Sequence, residues 1–188
     1  MNTSMLDPPS RSPFRFKRAG DIKPRPMDWL VSGLFELDGL LLIVGDPSAG
    51  KSFWALDLAA CIATGHEHHG RAVQAGPVHY IAGEGHNGIS RRLRAWMIRN
   101  ELELGDAPLY VSEVAAQIGD EVNTATVLEA INCTGDTPKL VVLDTLNRNM
   151  AGDENATKDM GAFIACCDEI RAAYGCTVAL VHHTGHGN

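Results

Sequence analysis

Short runs of apolar residues alternate along the chain with longer segments whose apolar positions recur at a helical period. The apolar runs cover residues 40–44, 78–82, 109–111, 140–143 and 178–181. Uninterrupted apolar runs of this length predict strands that are buried on both faces, and the run at 109–111 is the least marked. Helices are predicted between them over residues 51–64, 90–104, 124–132 and 156–174. This alternation predicts an α/β fold with a mainly parallel, five-stranded sheet and helices on both of its faces.

The N-terminal segment differs from the rest of the chain in composition. Residues 1–27 are rich in proline and in basic residues and show no apolar period. Such a segment is typical of a flexible arm. The remaining residues, 28–188, are enough for one α/β domain and too few for two.

The segment between the first predicted strand and the first predicted helix fits the pattern G-x-x-x-x-G-K-[ST]. It consists of Gly45, Asp46, Pro47, Ser48, Ala49, Gly50, Lys51 and Ser52. Glycines allow a loop in which successive N–H groups point into one concavity, and the helix that follows directs its positive end there. Lys51 is expected to neutralise the β- and γ-phosphates of ATP, and the Ser52 hydroxyl to bind Mg²⁺. We include the next residue, Phe53, in the predicted nucleotide-binding segment.

Two carboxylates follow predicted strands and are expected at the same edge of the sheet. Asp144 ends the run at 140–143, where it is expected to bind Mg²⁺ with Ser52. Hydrolysis also needs a group that orients the attacking water, and Thr145, directly after Asp144, cannot act as that base. Glu84, after the second strand, is the predicted base, and an exposed loop glutamate is the alternative.

Two histidines follow the last predicted strand. Because side chains alternate along a strand, only one of His182 and His183 is expected to face the nucleotide. We favour His183 as a group that senses the γ-phosphate. A purely structural histidine is the alternative.

Together these segments resemble the RecA-like superfamily of P-loop NTPases, and most closely the RepA-type hexameric helicases and related AAA-type ATPases of phages and plasmids. The matching segments are residues 45–52, 80–85, 90–96, 140–156 and 181–185. The resemblance implies a motor that couples ATP hydrolysis to movement on single-stranded DNA. It implies a homo-oligomeric ring, a hexamer in that family, and replication proteins as possible partners. Carried over by position, it assigns the catalytic base to Glu84 and the nucleotide sensor to His183.

Members of that family continue past the paired histidines with further strands, a DNA-contacting loop and an arginine finger. We therefore expect a chain that is truncated after its fifth strand, with residues 178–181 as an exposed sheet edge. Three functions remain open on the sequence. They are a replication motor, an ATP-dependent switch that binds DNA or a partner, and a core that binds ATP with little turnover.

Weaker patterns give further expectations. Arg148 is the predicted contact to the nucleic acid, in a loop at 147–149, and Asn155 is the predicted N-cap of the last helix. The arginine-rich stretch at 91–99 is expected to be a solvated helix face, with a subunit interface or phosphate contacts as the alternative. The histidines His66, His68 and His69 are expected in a solvated loop rather than in a metal site.

Composition limits the remaining classes. The formal net charge of −7 argues against a surface that is basic throughout, although a few local cations suffice to hold a strand. No apolar run approaches the roughly 20 residues of a membrane-spanning helix, and the N-terminus lacks the apolar stretch of a secretory signal. We expect a cytoplasmic protein without a membrane partner, whose five cysteines are buried or idle thiols.

Overall fold

The computed structural model describes residues 16–183, apart from the side chains of His86 and Asn87. After a single 3-10 turn at Ala19–Asp21, strands and helices alternate. The strands are β1 (Trp29–Val31), β2 (Phe35–Glu36), β3 (Leu40–Gly45), β4 (Val78–Ala82), β5 (Leu109–Val111), β6 (Leu140–Asp144) and β7 (Thr177–His183). The helices are α1 (Lys51–Thr64), α2 (His86–Asn100), α3 (Glu121–Cys133), α4 (Leu146–Asn149) and α5 (Thr157–Tyr174).

The main sheet has five parallel strands in the order β3-β7-β6-β4-β5. This confirms the α/β fold and the five-stranded sheet expected from the sequence. β6 is the middle strand, and Val141 pairs with His79 of β4 on one side and with Val178 of β7 on the other. A small antiparallel hairpin, β1–β2, is separate from this sheet.

The expectation that residues 178–181 form a sheet edge is wrong. β7 lies between β3 and β6, and its residues from Thr177 to Val181 are buried. The edge strands are instead β5 and β3, and β3 leads into the phosphate-binding segment. The error has a physical reason, because the order of strands in the chain does not fix their order in a sheet. On β3 the side chains of Leu40, Leu42 and Val44 are exposed, so one face of this strand is uncovered within residues 16–183.

Two apolar cores lie on the two faces of the sheet. In β6, Leu140 and Val142 pack into the core shared with α1, while Val141 and Leu143 pack into the core shared with α3 and α5. Side chains of a strand point alternately to the two faces. A strand such as β6 therefore needs an apolar residue at every position between its ends, which explains why it is an unbroken apolar run from Leu140 to Leu143.

The helices match the predictions unevenly. α1 has the predicted bounds and ends at Gly65, whose φ of 73° forms a left-handed cap. α2 starts and ends four residues before the predicted helix, because Gly85 and Glu101 adopt left-handed conformations at its two ends. Asn155 does not cap α5. The N-cap is Ala156, without a side-chain hydrogen bond, and the Asn155 amide donates to Asp153 instead.

The cysteines agree with their predicted role. All five are free thiols, and only Cys133 is exposed. Burial raises the pKa of Cys61, Cys167 and Cys176 to about 12, so these thiols stay protonated and unreactive near neutral pH. No helix in residues 16–183 is long and apolar enough to span a membrane.

We predict that replacing a buried and an exposed helical isoleucine changes the free energy of unfolding by very different amounts. Ile170 of α5 is fully buried, whereas Ile98 of α2 is 66% exposed. Ile170→Ala should lower the free energy of unfolding by about 2–5 kcal/mol, because it leaves a cavity in the core under α5. Ile98→Ala should change it by no more than about 0.5 kcal/mol. Urea denaturation followed by circular dichroism measures both, and similar losses would contradict the assignment of this core.

Candidate nucleotide-binding site

Four strand ends meet at one edge of the main sheet. Gly45 at the end of β3 pairs in register with His183 of β7, and Ala82 at the end of β4 pairs with Asp144 of β6. Parallel strands place their carboxyl ends together, and ligands of open α/β sheets bind at that edge. The loop after Gly45, the loop with Glu84, Asp144 and the paired histidines therefore surround a common region.

The segment from Gly45 to Ser52 forms a tight loop that runs into α1. Ser48 and Gly50 have positive φ angles of 64° and 87°, and Gly50 is the residue before the helix. Lys51 is buried, and its Nζ donates to the carbonyl oxygens of Gly45 at 2.8 Å and Asp46 at 2.7 Å. An ammonium has three donors, so this arrangement leaves one of them for a phosphate oxygen. The loop thus holds a buried cation at the N-terminus of a helix, the arrangement that binds phosphate.

Asp144 is buried at the tip of the middle strand, and both of its carboxylate oxygens accept hydrogen bonds. The Ser52 hydroxyl donates to Oδ1 at 3.0 Å, although the two residues are 92 positions apart in the chain. The Tyr80 hydroxyl donates to Oδ2. Burial, followed by the Asp144 charge, raises the pKa of Tyr80, so its hydroxyl stays protonated and remains a donor. The structure thus brings Ser52 and Asp144 together, and their oxygens are of the kind that could hold Mg²⁺.

Glu84 and Arg148, which the sequence assigns to separate tasks, contact each other. Arg148 Nε donates to Glu84 Oε2 at 3.1 Å, and both side chains are more than half exposed. They border a cavity of about 330 Å³ that is further lined by Thr145, Asn147, Glu154, His182 and His183. The prediction of a loop at 147–149 is wrong, because these residues belong to the short helix α4.

Both histidines of β7 border this cavity. His183 Nδ1 is buried and has no hydrogen-bond partner among the described residues. His182 Nδ1 lies 3.8 Å from Glu154 Oε2. The ring of Phe53, by contrast, lies beneath the Arg92 guanidinium, 4.7 Å from ring centroid to Cζ, and borders a different cavity between α1 and α2.

Sequence reasoning missed two residues that position this site. Tyr80 was read only as part of an apolar strand, yet it holds the Asp144 carboxylate. Asn149 is fully buried, and its amide donates to the carbonyl oxygens of Ile81 and Thr145, which joins the ends of β4 and β6. One feature of the sequence points to Tyr80. It lies two residues before Ala82, so both side chains are on one face of β4, and Ala82 pairs with Asp144 in the neighbouring strand β6.

The histidine segment after α1 also differs from its prediction. His68 is 1% exposed, so the expectation of a solvated loop is wrong for this residue. Its ring lies against Asp57 of α1, with Nδ1 3.1 Å from Oδ2. The segment folds back onto the helix that precedes it, which the local composition does not reveal.

The fold and the site define a P-loop ATPase of the RecA-like class. They combine a five-stranded parallel sheet, a glycine-containing loop that enters a helix, and a serine–aspartate pair joined by a hydrogen bond at the same sheet edge. The chain belongs to an AAA domain family, whose model matches residues 7–188. Among solved structures, the fold is similar to that of the KaiC-like protein PH0186 from the archaeon Pyrococcus horikoshii, with a TM-score of 0.59 and 14% identity. That match covers 84% of this chain and 67% of the archaeal chain.

We predict that Tyr80→Phe destabilises the fold. The substitution removes only the hydroxyl that donates to Asp144, and a buried carboxylate oxygen loses its donor. The free energy of unfolding should fall by about 1–3 kcal/mol in urea denaturation. Tyr174→Phe is the matched control, since its hydroxyl lies where water can replace it and donates to the Leu128 carbonyl. The control should cost about 1 kcal/mol or less. An equal loss in both variants would contradict the role of Tyr80.

Proposed function

We propose that this chain is the core of an ATP-hydrolysing motor that acts on single-stranded DNA. The observation that carries the ATP-hydrolysing part is the hydrogen bond from Ser52 to Asp144 beside the buried Lys51. A lysine, a serine and an aspartate, the residue types that contact a nucleoside triphosphate and its metal ion, thus meet at one sheet edge. Glu84, the group proposed to activate water, follows β4 at the same edge.

Nucleotide binding is assigned to the loop at Gly45–Ser52. Its N–H groups and the N-terminus of α1 attract the phosphates, and Lys51 offers them the ammonium donor that its two carbonyl contacts leave. Ser52 and Asp144 would hold Mg²⁺, which when bound offsets the negative charge that develops on the phosphates. Tyr80 keeps one carboxylate oxygen of Asp144 fixed and so orients the other toward Ser52.

Glu84 is the proposed general base. Its carboxylate borders the 330 Å³ cavity together with His183, on the side of the sheet edge that the Gly45 loop also reaches. A half-exposed carboxylate can accept a proton from an attacking water once its own partner moves away. His183, with an unpartnered Nδ1, is the proposed sensor of the γ-phosphate in that cavity.

Arg148 is the proposed link between the strand and the base. Arg148 contacts Glu84 through Nε, and a DNA phosphate would compete with the carboxylate for the same guanidinium, so a strand bound at Arg148 would draw it away from Glu84. The pair is exposed, and exposed ion pairs contribute only about 0–1 kcal/mol. Its release therefore costs little compared with binding a phosphate.

The Glu84–Arg148 contact also favours a second candidate, an ATP-dependent switch that binds DNA or a partner with little turnover. In that case the pair would stay closed in the ATP-bound form. If the chain is a motor, we propose that it forms a homo-oligomeric ring and has replication proteins as partners. The resemblance to hexameric helicases supports this proposal. Turnover measurements distinguish the two candidates.

We predict that one substitution abolishes ATP binding and that another abolishes most of the turnover while leaving ATP binding intact. Lys51→Ala should lose Mg·ATP binding, because the buried cation is removed from the phosphate loop. Glu84→Gln should bind Mg·ATP as the parent does, with turnover lower by about 10²–10⁴-fold. Calorimetric binding and phosphate release, each with and without single-stranded DNA, measure these effects.

The matched control is Glu113→Gln, the same change at an exposed glutamate outside the cavity. It should leave binding and turnover unchanged. Tight Mg·ATP binding by the parent chain, with no turnover even in the presence of DNA, would overturn the motor and leave the switch and the ATP-binding core with little turnover. Unchanged turnover in Glu84→Gln would remove Glu84 as the base.

We further predict that Arg148→Ala uncouples DNA from turnover. Basal ATP turnover should stay equal or rise, because Glu84 loses the partner that holds it. Stimulation by single-stranded DNA should disappear. Arg94→Ala is the control, since Arg94 of α2 forms an exposed pair, at 3.8 Å, with Glu103, which follows that helix. Full DNA stimulation in Arg148→Ala would contradict the proposed link.

A further inference from the structure

We propose that Asp57, His68 and His69 form a binding site for a transition-metal cation of the Zn²⁺ type, separate from the Mg²⁺ ligands at the nucleotide. The three residues offer one carboxylate oxygen and two imidazole nitrogens that lie within 4.8 Å of one another. This donor set suits Zn²⁺ and its neighbours in the transition series better than Mg²⁺, which prefers oxygen alone. The site does not depend on the proposed motor function.

A tight turn places the two histidines. The N–H and C=O of His68 exchange hydrogen bonds with those of Arg71, at 3.0 and 3.1 Å. His69 and Gly70 between them both have positive φ angles, of 49° and 73°, as a two-residue type I′ turn requires. The turn folds the segment back onto α1, where Asp57 lies on the helix surface that faces it.

The two distances from the carboxylate to the imidazoles are close to those between ligands of a tetrahedral ion. Asp57 Oδ2 lies 3.1 Å from His68 Nδ1 and 3.4 Å from His69 Nε2. Two ligand atoms held about 2.0–2.1 Å from Zn²⁺ at the tetrahedral angle are about 3.3–3.4 Å apart. The carboxylate oxygen thus lies at ligand-to-ligand distance from both imidazoles.

The carboxylate is oriented from behind. Trp96 of α2 donates its indole N–H to Asp57 Oδ1 at 2.8 Å. This bond occupies one oxygen and turns the other, Oδ2, toward the histidines. Carboxylates that bind metals are commonly held in this manner by a second hydrogen bond.

The burial of His68 is the independent sign of a ligand. The side chain is 1% exposed, yet neither ring nitrogen has a hydrogen bond of normal geometry among the described residues. Nδ1 is close to Asp57 Oδ2, but the approach does not satisfy the angle of a hydrogen bond. A buried polar atom left in this state is unfavourable, because it has lost its hydration without a full replacement. A cation beside the carboxylate would satisfy Nδ1 without requiring that angle.

An ion has a route to the site and room for a fourth ligand. His69 is 63% exposed, and it borders a cavity of about 560 Å³ between α1 and α2. The cavity is also lined by Asp57, Glu67 and Trp96. Three protein ligands with a fourth position open to a cavity leave space for a water or a small anion on the metal.

The test is a Zn²⁺ titration of the full 188-residue chain, prepared without a polyhistidine tag and in excess Mg²⁺. Competition with a chromophoric chelator measures affinity and stoichiometry, and thermal unfolding supplies a second readout. We expect one Zn²⁺ per chain and a rise in Tm on binding. Asp57→Asn keeps an oxygen for Trp96 and removes the charge, and His69→Asn keeps a residue that the turn favours. Each should weaken Zn²⁺ by at least about 10–100-fold and remove the rise in Tm.

The matched control is His66→Asn, which removes a histidine that borders the same cavity but lies outside the three-residue cluster. It should keep the parent affinity and the rise in Tm. The proposal is overturned if the parent chain binds no Zn²⁺ stoichiometrically. It is equally overturned if His69→Asn, folded by circular dichroism, binds as tightly as His66→Asn. The test does not use a variant of His68, because this side chain is buried and its substitution would disturb the core as well as the proposed metal site.

Discussion

The buried carboxylate of Asp144 sets conditions that the elements around it must meet. An ionised group removed from water costs several kcal/mol unless donors replace the lost hydration. Here Ser52 at the start of α1 supplies one donor, and Tyr80 in β4 supplies the other. The carboxylate therefore ties the middle strand, its neighbour and the phosphate-binding helix to one point. The hydrogen bonds that orient the proposed Mg²⁺ ligands are thus also part of what holds the sheet edge together.

The elements that face only local constraints were predictable from the sequence. A strand covered on both faces must be apolar at every position, as in Leu140 to Leu143, so its location is visible in one dimension. α1 was predicted at its correct bounds, because Gly50 and Gly65 mark both ends with left-handed conformations. The phosphate loop belongs to the same group, since its residues are consecutive.

Features that join distant parts of the chain were not predictable in the same way. The edge position of β3 follows from β7 pairing with it, across more than 130 residues, which no local pattern encodes. Tyr80 and Asp144 are 64 positions apart, and so are Glu84 and Arg148. A residue pattern identifies each member of such a pair, but it does not reveal that they meet. His68 was misread for the same reason, since the turn that buries it against Asp57 depends on packing.

The contacts at the sheet edge divide into two physical kinds. Those of Asp144 are buried, and breaking them would leave an uncompensated charge, so they are fixed. The contact between Glu84 and Arg148 is exposed, and water can replace either partner at little cost. Under the proposed function, the contacts of Asp144 stay in place throughout the reaction, whereas Glu84 becomes available as the base only when Arg148 leaves it. A bound partner can therefore change the contact between Glu84 and Arg148, but not the contacts of Asp144.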